Sequence, residues 1–464
     1  MKKIYSLSFA AALVLGVGAY AHTADAGKPP PTTTGPEWII MASNDLGMHC
    51  ACPTSQYFLL LPPFNTLRAQ VIKRDINMVK TGTPTVVADS TIRVQYNIVE
   101  NTDANLATDP YFKTWMDSAP YLFPGFVPAP GGVIMGIAGK GLHGTMDAQP
   151  LGWYEAKGIP AFPDVSSNST TAQKIMIDPL GGPNRNPYLT GNVKVYSTAT
   201  GALLAETNNT VPVAFGGCCT CHLPMANNDA LASFKLMGSL HKASSGIDFA
   251  DPAVIDLNHD GLPGPIRCSQ CHVDAAMGET VAPGYPGLPT SKYTFSDVLH
   301  RWHVQNPKVL AMDPNLATNC YKCHPGNGVN CYRDHHTNKL IGSGPNQHLV
   351  WCTDCHGDLN QRVAQGQLLD PWSKNTLPTC TKCHSNTGEN AILPAFGGSF
   401  LKSMAHKNDK ILCSTCHGSP HGLNPSTLAK DNVQNLALQN DSRAIGVCNT
   451  CHVGKSSSYG TPLH

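Results

Sequence analysis

Seven copies of one five-residue pattern, Cys-x-x-Cys-His, constrain what the second half of this chain can fold into. Random placement at this composition would give about 0.03 copies, so the repeat is specific. Two thiols three positions apart can add to the vinyl groups of one haem, and the histidine that follows then faces the iron. A zinc ribbon or a redox disulfide would not need that histidine seven times. We number the copies motif 1 to motif 7 in chain order.

The motifs predict seven covalently attached c-type haems, each held by two cysteines and one axial histidine. The predicted attachment cysteines are Cys218, Cys221, Cys268, Cys271, Cys320, Cys323, Cys352, Cys355, Cys380, Cys383, Cys413, Cys416, Cys448 and Cys451. The predicted iron ligands among the motif histidines are His222, His272, His324, His356, His384, His417 and His452.

The histidines outside the motifs are numerous enough to supply the second axial ligands of low-spin haems. His300 and His303 lie three positions apart on a predicted helix and could serve two neighbouring haems. Of the adjacent His335 and His336, at most one suits a given haem, and His335 is favoured. The candidate second ligands are His241, His300, His303, His335, His348, His406 and His421. Because histidine is in surplus over methionine as a ligand, low reduction potentials are expected.

The N-terminus has the features of a secretory signal peptide at residues 1–21: a basic start, a short apolar stretch and a small-residue cleavage site. A second cleavage point lies at residues 24–26, and residues 22–36 form a Pro/Thr-rich linker. These features predict an exported protein, extracellular or on the outer cell surface, with the periplasm as the alternative. No transmembrane segment is expected after signal removal.

The cysteines divide the chain unevenly, since residues 37–216 contain only Cys50 and Cys52 of the 18 cysteines. Alternating apolar and polar residues predict strands in this first half. We therefore expect a mixed fold. It has an antiparallel, sandwich-like β domain at 37–216 and a loop-rich, mostly helical or irregular heptahaem domain at 217–464, with little regular secondary structure. The predicted strands cover residues 37–42, 67–73, 91–98, 192–197 and 203–207.

Four cysteines lie outside the attachment pattern: Cys50, Cys52, Cys219 and Cys331. In an oxidising compartment they allow three disulfide pairings, and bridges from Cys50 and Cys52 to Cys219 and Cys331 would join the two halves. A small metal site at residues 49–52 is the alternative.

A second cofactor prediction is a calcium ion near Asp256, Asn258 and Asp260, since these residues match the first half of a calcium-binding loop. Arg267 stands where such a loop has its bidentate glutamate, so another segment would have to complete the site. The alternative is a polar turn before Cys268.

The formal charge of +1 does not favour nucleic-acid binding. Without residues 1–21 the chain carries −1, and each haem adds about −1 when oxidised and about −2 when reduced, giving roughly −8 to −15 in total. The holoprotein should therefore favour basic partners.

The chain resembles the exported multihaem c-type cytochromes of metal-respiring and other anaerobic bacteria. The resemblance rests on the seven motifs and on residues 43–50, 61–67, 320–326 and 352–357. The resemblance supports this architecture, and the seven closely spaced haems favour an electron-transfer protein over an enzyme, with redox proteins or extracellular electron acceptors as partners and self-assembly as a further expectation. The alternatives are a nitrite-, hydroxylamine- or tetrathionate-type reductase with one open haem, and a surface or filament-forming cytochrome with a binding β domain.

Overall fold

The computed structural model describes residues 35–150, 152–165, 176–216, 218–307, 320–325, 329–367, 378, 380–384 and 411–455. The predicted signal peptide, most of the predicted linker and His406 lie outside these ranges. Within them, no helix is both long enough and apolar enough to cross a membrane.

The described residues form fourteen strands, most of them in the first half of the chain. They are β1 (Trp38–Asn44), β2 (His49–Ala51), β3 (Phe58–Leu59), β4 (Asn65–Lys73), β5 (Thr85–Val87), β6 (Ile92–Ile98), β7 (His143–Thr145), β8 (Asp147–Gln149), β9 (Trp153–Ile159), β10 (Tyr188–Ser197), β11 (Leu203–Phe215), β12 (Ile266–Arg267), β13 (Leu340–Ile341) and β14 (His348–Leu349). One five-stranded sheet has the order β1-β4-β9-β8 with β5 also on β4, and the other has the order β2-β11-β10-β6-β7.

The helices of the described residues are mostly short. They are α1 (Asp103–Thr108), α2 (Pro110–Leu122), α3 (Cys218–His222), α4 (Ala230–Ser245), α5 (Phe295–Gln305), α6 (Cys352–His356), α7 (Leu359–Ala364), α8 (Cys380–Cys383), α9 (Cys413–His417) and α10 (Val433–Gln439). Three further motifs begin in single 3-10 turns, at Cys268–Gln270, Cys320–Lys322 and Cys448–Thr450.

The main hydrophobic core lies between the two large sheets and is closed at one side by α2. In β6 the buried and accessible residues alternate, because one face of this strand packs on the core. Helix α2 begins at Pro110, is capped by the Asp109 carboxylate, and contributes Phe112 and Trp115 to the same core. This packing fixes the sheets that carry the N-terminal part of the site.

Strand β1 is buried on both faces, which explains its nearly continuous apolar sequence. Ile40 and Ala42 face the main core. Ile39 and Met41 face the opposite way and pack with Ile445, just before motif 7. Strand β1 of the first large sheet therefore packs against the C-terminal motifs.

The predicted fold class is wrong. Strands occur in both halves of the chain, and β2 runs parallel to β11 instead of antiparallel. In the second half, β12 pairs in parallel with β3, and β13 pairs with β14. These strands are two residues long, too short for an alternating pattern to reveal them, and β12 is stabilised because Ile266 packs with Phe58 and Phe234 in a small core of its own.

Contacts cross the position near residue 216 where we expect the two domains to meet. Val329 and Leu428 from the second half belong to the main core of the sheets. The Tyr188 hydroxyl donates to the carbonyl of Asn330 at 2.8 Å, and Lys430 pairs with Glu100 at 2.9 Å. The two-domain division itself stays a prediction.

Candidate haem-binding site

All seven motifs line one continuous cavity of about 3180 Å³. Every one of the fourteen attachment cysteines and the seven motif histidines contributes to its wall. Divided by seven, the volume is about 450 Å³ for each motif, within the roughly 300–1,000 Å³ of pockets that enclose a drug-sized ligand. The cavity is therefore large enough to place a separate group at each motif.

Each motif whose backbone hydrogen bonds are defined folds as one helical turn. The His324 N–H donates to the Cys320 carbonyl at 2.8 Å, and the corresponding bond in motif 7 joins His452 to Cys448 at 2.8 Å. This turn brings the first cysteine, the second cysteine and the histidine to one side of the backbone, because residues three and four positions apart share a face. The local fold thus presents the three groups together toward the cavity.

Five motif histidines face a second histidine across the cavity. The pairs, with the distances between ring centres, are His222 with His303 at 6.3 Å, His272 with His241 at 6.4 Å, His324 with His300 at 6.1 Å, His356 with His421 at 6.0 Å, and His384 with His336 at 6.1 Å.

One metal ion bound between two imidazoles would set the distance between their ring centres. An imidazole nitrogen binds such an ion at about 2.0 Å and lies about 1.1 Å from the centre of its own ring. Two imidazoles on opposite sides of one iron therefore have ring centres about 6.2 Å apart. The five observed values, 6.0 to 6.4 Å, agree with this distance. The residues present fit bis-histidine coordination of haem iron.

Backbone carbonyls hold one ring nitrogen of three candidate second ligands. Nδ1 of His303 lies 2.7 Å from the Leu299 carbonyl oxygen, and Nδ1 of His300 lies 2.9 Å from that of Ser296. His241 makes the same contact with Ile247 at 2.8 Å. A carbonyl oxygen can only accept, so Nδ1 carries the proton and Nε2 is the nitrogen that could coordinate a metal.

Burial keeps several of these imidazoles neutral, which is the form that binds a metal. It lowers the pKa of His324 to about 4, with the neighbouring His300 adding to the effect. It likewise lowers the pKa of His421 to about 4, with His356 as the next cause. The site is thus prepared for metal coordination near neutral pH.

The remaining three candidate second ligands are His335, His348 and His406. His336, instead of the favoured His335, lies opposite His384; the two adjacent rings are 4.1 Å apart and form a cluster with Asp334. His348 is exposed and lies 2.9 Å from the Asp354 carboxylate, which raises the pKa of this histidine. His406 lies outside the described residues.

Helix α5 joins motifs 1 and 3. It carries His303, which faces motif 1, and His300, which faces motif 3. Two cysteines of these motifs are also close together. Burial raises the pKa of Cys323 in motif 3, and the nearby Cys221 of motif 1 raises this pKa further. Motif 3 is therefore a direct neighbour of motif 1.

Two pairs of consecutive motifs touch through their first cysteines. The Cys352 thiol of motif 4 donates to the sulfur of Cys320 in motif 3, which lowers the pKa of Cys320 to about 7. In the same way, Cys380 of motif 5 donates to Cys413 of motif 6 and lowers the pKa of Cys413 to about 6. Motifs 3 and 4 and motifs 5 and 6 are thus contact pairs.

Weaker interactions connect these pairs to each other and to motif 7. Burial raises the pKa of Cys355 in motif 4 to about 11, with Cys383 of motif 5 as the next cause. Burial raises the pKa of Cys451 in motif 7 to about 12, and Cys416 of motif 6 adds to this. Motifs 4 to 7 therefore follow one another in chain order.

Motif 2 is also a neighbour of motif 1. Its histidine, His272, faces His241 on α4, the helix that follows motif 1. Burial raises the pKa values of Cys218 in motif 1 and Cys268 in motif 2, and Cys52 is the next cause for both. We call the resulting sequence of neighbours, 2, 1, 3, 4, 5, 6, 7, the spatial order of the motifs; it differs from chain order at its first step.

The four unassigned cysteines are free thiols in this structure. Burial raises the pKa of Cys50 to about 12, with Cys331 as the largest neighbouring charge. It raises the pKa of Cys219 to about 12 as well, and there the main neighbour is Cys52. The disulfides and the alternative metal site at residues 49–52 stay predictions.

The polar groups of the predicted calcium loop form hydrogen bonds with one another. The Asp256 carboxylate accepts from the N–H groups of Asp260 and Gly261 at 3.2 and 3.1 Å, and the Asn258 amide donates to Asp260 at 2.7 Å. Calcium binding there stays a prediction.

Residues of the N-terminal sheets contact the motif region where the sequence patterns gave no signal. The Gln70 carbonyl oxygen accepts from the Leu412 N–H at 2.9 Å and from the Thr415 hydroxyl of motif 6. The Arg333 guanidinium donates to the Gly47 carbonyl at 2.9 Å. Single polar residues of this kind have no periodicity, so only the folded chain reveals them.

No protein-family model, curated protein or solved structure matches this chain.

Proposed function

We propose that this chain is an exported multihaem c-type cytochrome that holds seven haems and carries electrons between a cellular redox chain and an extracellular or periplasmic acceptor. The observation that carries the proposal is the set of five histidine pairs, at 6.0 to 6.4 Å, inside a cavity lined by all seven motifs.

Haem bound at each motif would supply reversible one-electron redox chemistry at its iron. The chain's part is to attach it through two cysteines, to supply axial imidazoles, and to keep those imidazoles neutral by burial. Two histidine ligands on one iron leave no open position for a substrate, so the paired motifs favour electron transfer over catalysis.

The contacts between motifs support a single route. The chain places the first cysteines of motifs 3 and 4, and those of motifs 5 and 6, next to each other, and it spans motifs 1 and 3 with one helix. Electrons would follow the spatial order of the motifs, so motif 2 and motif 7 are the places where we expect exchange with partners. Because the loaded protein is acidic, those partners are expected to be basic redox proteins or extracellular acceptors.

The experiment is a haem count on the purified full-length protein and on two neighbouring cysteine variants. Cys218→Ser removes an attachment thiol of motif 1, whereas Cys219→Ser removes the adjacent thiol that the pattern leaves unassigned. We expect seven haems with two thioether bonds each in the wild type and in Cys219→Ser, whereas in Cys218→Ser the haem of motif 1 can keep only the thioether bond to Cys221.

Carbon monoxide addition, followed by optical and EPR spectra, tests whether an iron is open. Low-spin spectra that carbon monoxide does not change would support electron transfer. A wild-type protein without covalent haem would refute the proposal, and a high-spin haem that binds carbon monoxide or nitrite would favour the reductase alternative instead.

A further inference from the structure

Gly47 lies against the ring of His421, although the two residues belong to opposite ends of the chain. A Cβ atom at position 47 would come within 1.6 Å of Nδ1 and 2.1 Å of Cγ of His421. Gly47 does not have a positive φ angle, so its backbone conformation does not itself require glycine. Position 47 therefore requires glycine because a side chain there would overlap this imidazole.

The backbone of His421 is held in an unusual conformation. Its φ angle is 60°, in the left-handed region that residues with a side chain rarely adopt. Its carbonyl oxygen accepts from the Arg333 N–H at 2.8 Å. The same arginine donates from Nη1 to the Gly47 carbonyl at 2.9 Å, so Arg333 fastens both sides of the contact.

Arg333 is itself fixed by its surroundings. Its side chain is 1 % exposed and forms a two-bond ion pair with Asp431, at 2.6 and 3.0 Å. The guanidinium also stacks on the Tyr188 ring, 4.8 Å from its centre. A buried, doubly bonded arginine is a rigid support, because moving it would break several hydrogen bonds at once.

The ring that these residues hold faces motif 4. The centre of the His421 ring lies 6.0 Å from that of His356, and Tyr332 packs edge-on against it from another side. Motif 4 is in the middle of the spatial order, so displacement of this ring would affect the route between its two ends.

We propose that Gly47 and Arg333 are positioning residues that hold His421 as the second axial ligand at motif 4. The inference rests on the proposed function, since it requires haem at that motif. It gives Gly47 of the first half a role in haem coordination, whereas the sequence pattern around it indicated only a resemblance.

The test is Gly47→Ala in the full-length holoprotein, measured by haem content, EPR and carbon monoxide binding. We expect unchanged haem content, loss of one low-spin signal, and one additional carbon-monoxide-binding haem per chain relative to the wild type. Gly201→Ala is the matched control. Gly201 has a φ angle of 72° with no atom within 4 Å of the added Cβ, so this variant strains the backbone without approaching a ligand. It should bind no additional carbon monoxide.

His421→Ala and the double variant separate ligand positioning from general damage. His421→Ala should also open one haem, and added imidazole should restore its low-spin spectrum. The double variant should match His421→Ala, because removing the ring makes room for the new methyl group. This holds even where Gly47→Ala alone yields no folded protein.

Two results would overturn the inference: an unchanged low-spin spectrum in Gly47→Ala, or a double variant that opens more haems than His421→Ala. Haem content distinguishes these results from failure of the proposed function. A wild type without covalent haem refutes both proposals, whereas seven haems with a silent Gly47→Ala variant refute the positioning role alone.

Discussion

Replacing Asp431 by asparagine is expected to destabilise the protein by about 3–5 kcal/mol, because it leaves a buried guanidinium without its counter-charge. Arg333 is 1 % exposed and Asp431 is 4 % exposed, so water cannot replace the lost interaction. The Arg333 guanidinium would keep its bonds to the carbonyls of Gly47 and Cys331, which offset part of the charge only as dipoles.

The expected loss translates into a measurable shift of the melting temperature. Unfolding entropy near the transition is about 2.1 cal/mol/K per residue, which for 464 residues is about 1 kcal/mol/K. A loss of about 4 kcal/mol therefore lowers Tm by about 4 °C. Far-UV circular dichroism of the holoprotein during heating measures this shift.

The control is a lysine–aspartate ion pair on the protein surface. Lys113 and Asp117 are each 64 % exposed, and Asp117→Asn should change stability by less than about 0.5 kcal/mol. Equal shifts in Asp431→Asn and Asp117→Asn would refute the reasoning from burial. Arg333→Met combined with Asp431→Leu should recover part of the loss, because no charge then remains buried.

Three further predictions concern the site and its supports. His300→Ala should open the haem of motif 3 and His303→Ala that of motif 1, so each variant gains one high-spin haem by EPR and the double variant gains two. Gln70→Leu should cost about 1–3 kcal/mol in chemical unfolding, because it leaves the Leu412 N–H and the Thr415 hydroxyl unpaired, whereas Gln95→Leu in β6 of the other large sheet should cost less. In the exported protein, alkylation after denaturation should modify none of the four unassigned cysteines, and four modified thiols would eliminate the disulfide hypothesis.

The candidate second ligands show which histidine positions could be predicted from the sequence. The spacing of His300 and His303 indicated that one helix could serve two haems, and α5 does present them to two motif histidines. For the adjacent His335 and His336 the sequence favoured His335, whereas the ring opposite His384 is that of His336, because which ring faces motif 5 depends on the turn that carries them.

The fold class was predicted wrongly for a similar reason. Strands of two residues, such as β12 and β13, have no period that a sequence pattern could show. They form because partners from distant parts of the chain are already in place, as β3 is for β12.

The sequence by itself determined the repeated motif, because residues three and four positions apart share one face of a helical turn. It also determined the number of motifs and the supply of imidazoles. Only the tertiary structure decided which imidazole faces which motif, the spatial order that begins with motif 2, and the contact between Gly47 and His421. These depend on packing between residues far apart in the chain, such as Gly47 and Arg333 at a separation of 286 positions, and local sequence carries no record of such distances.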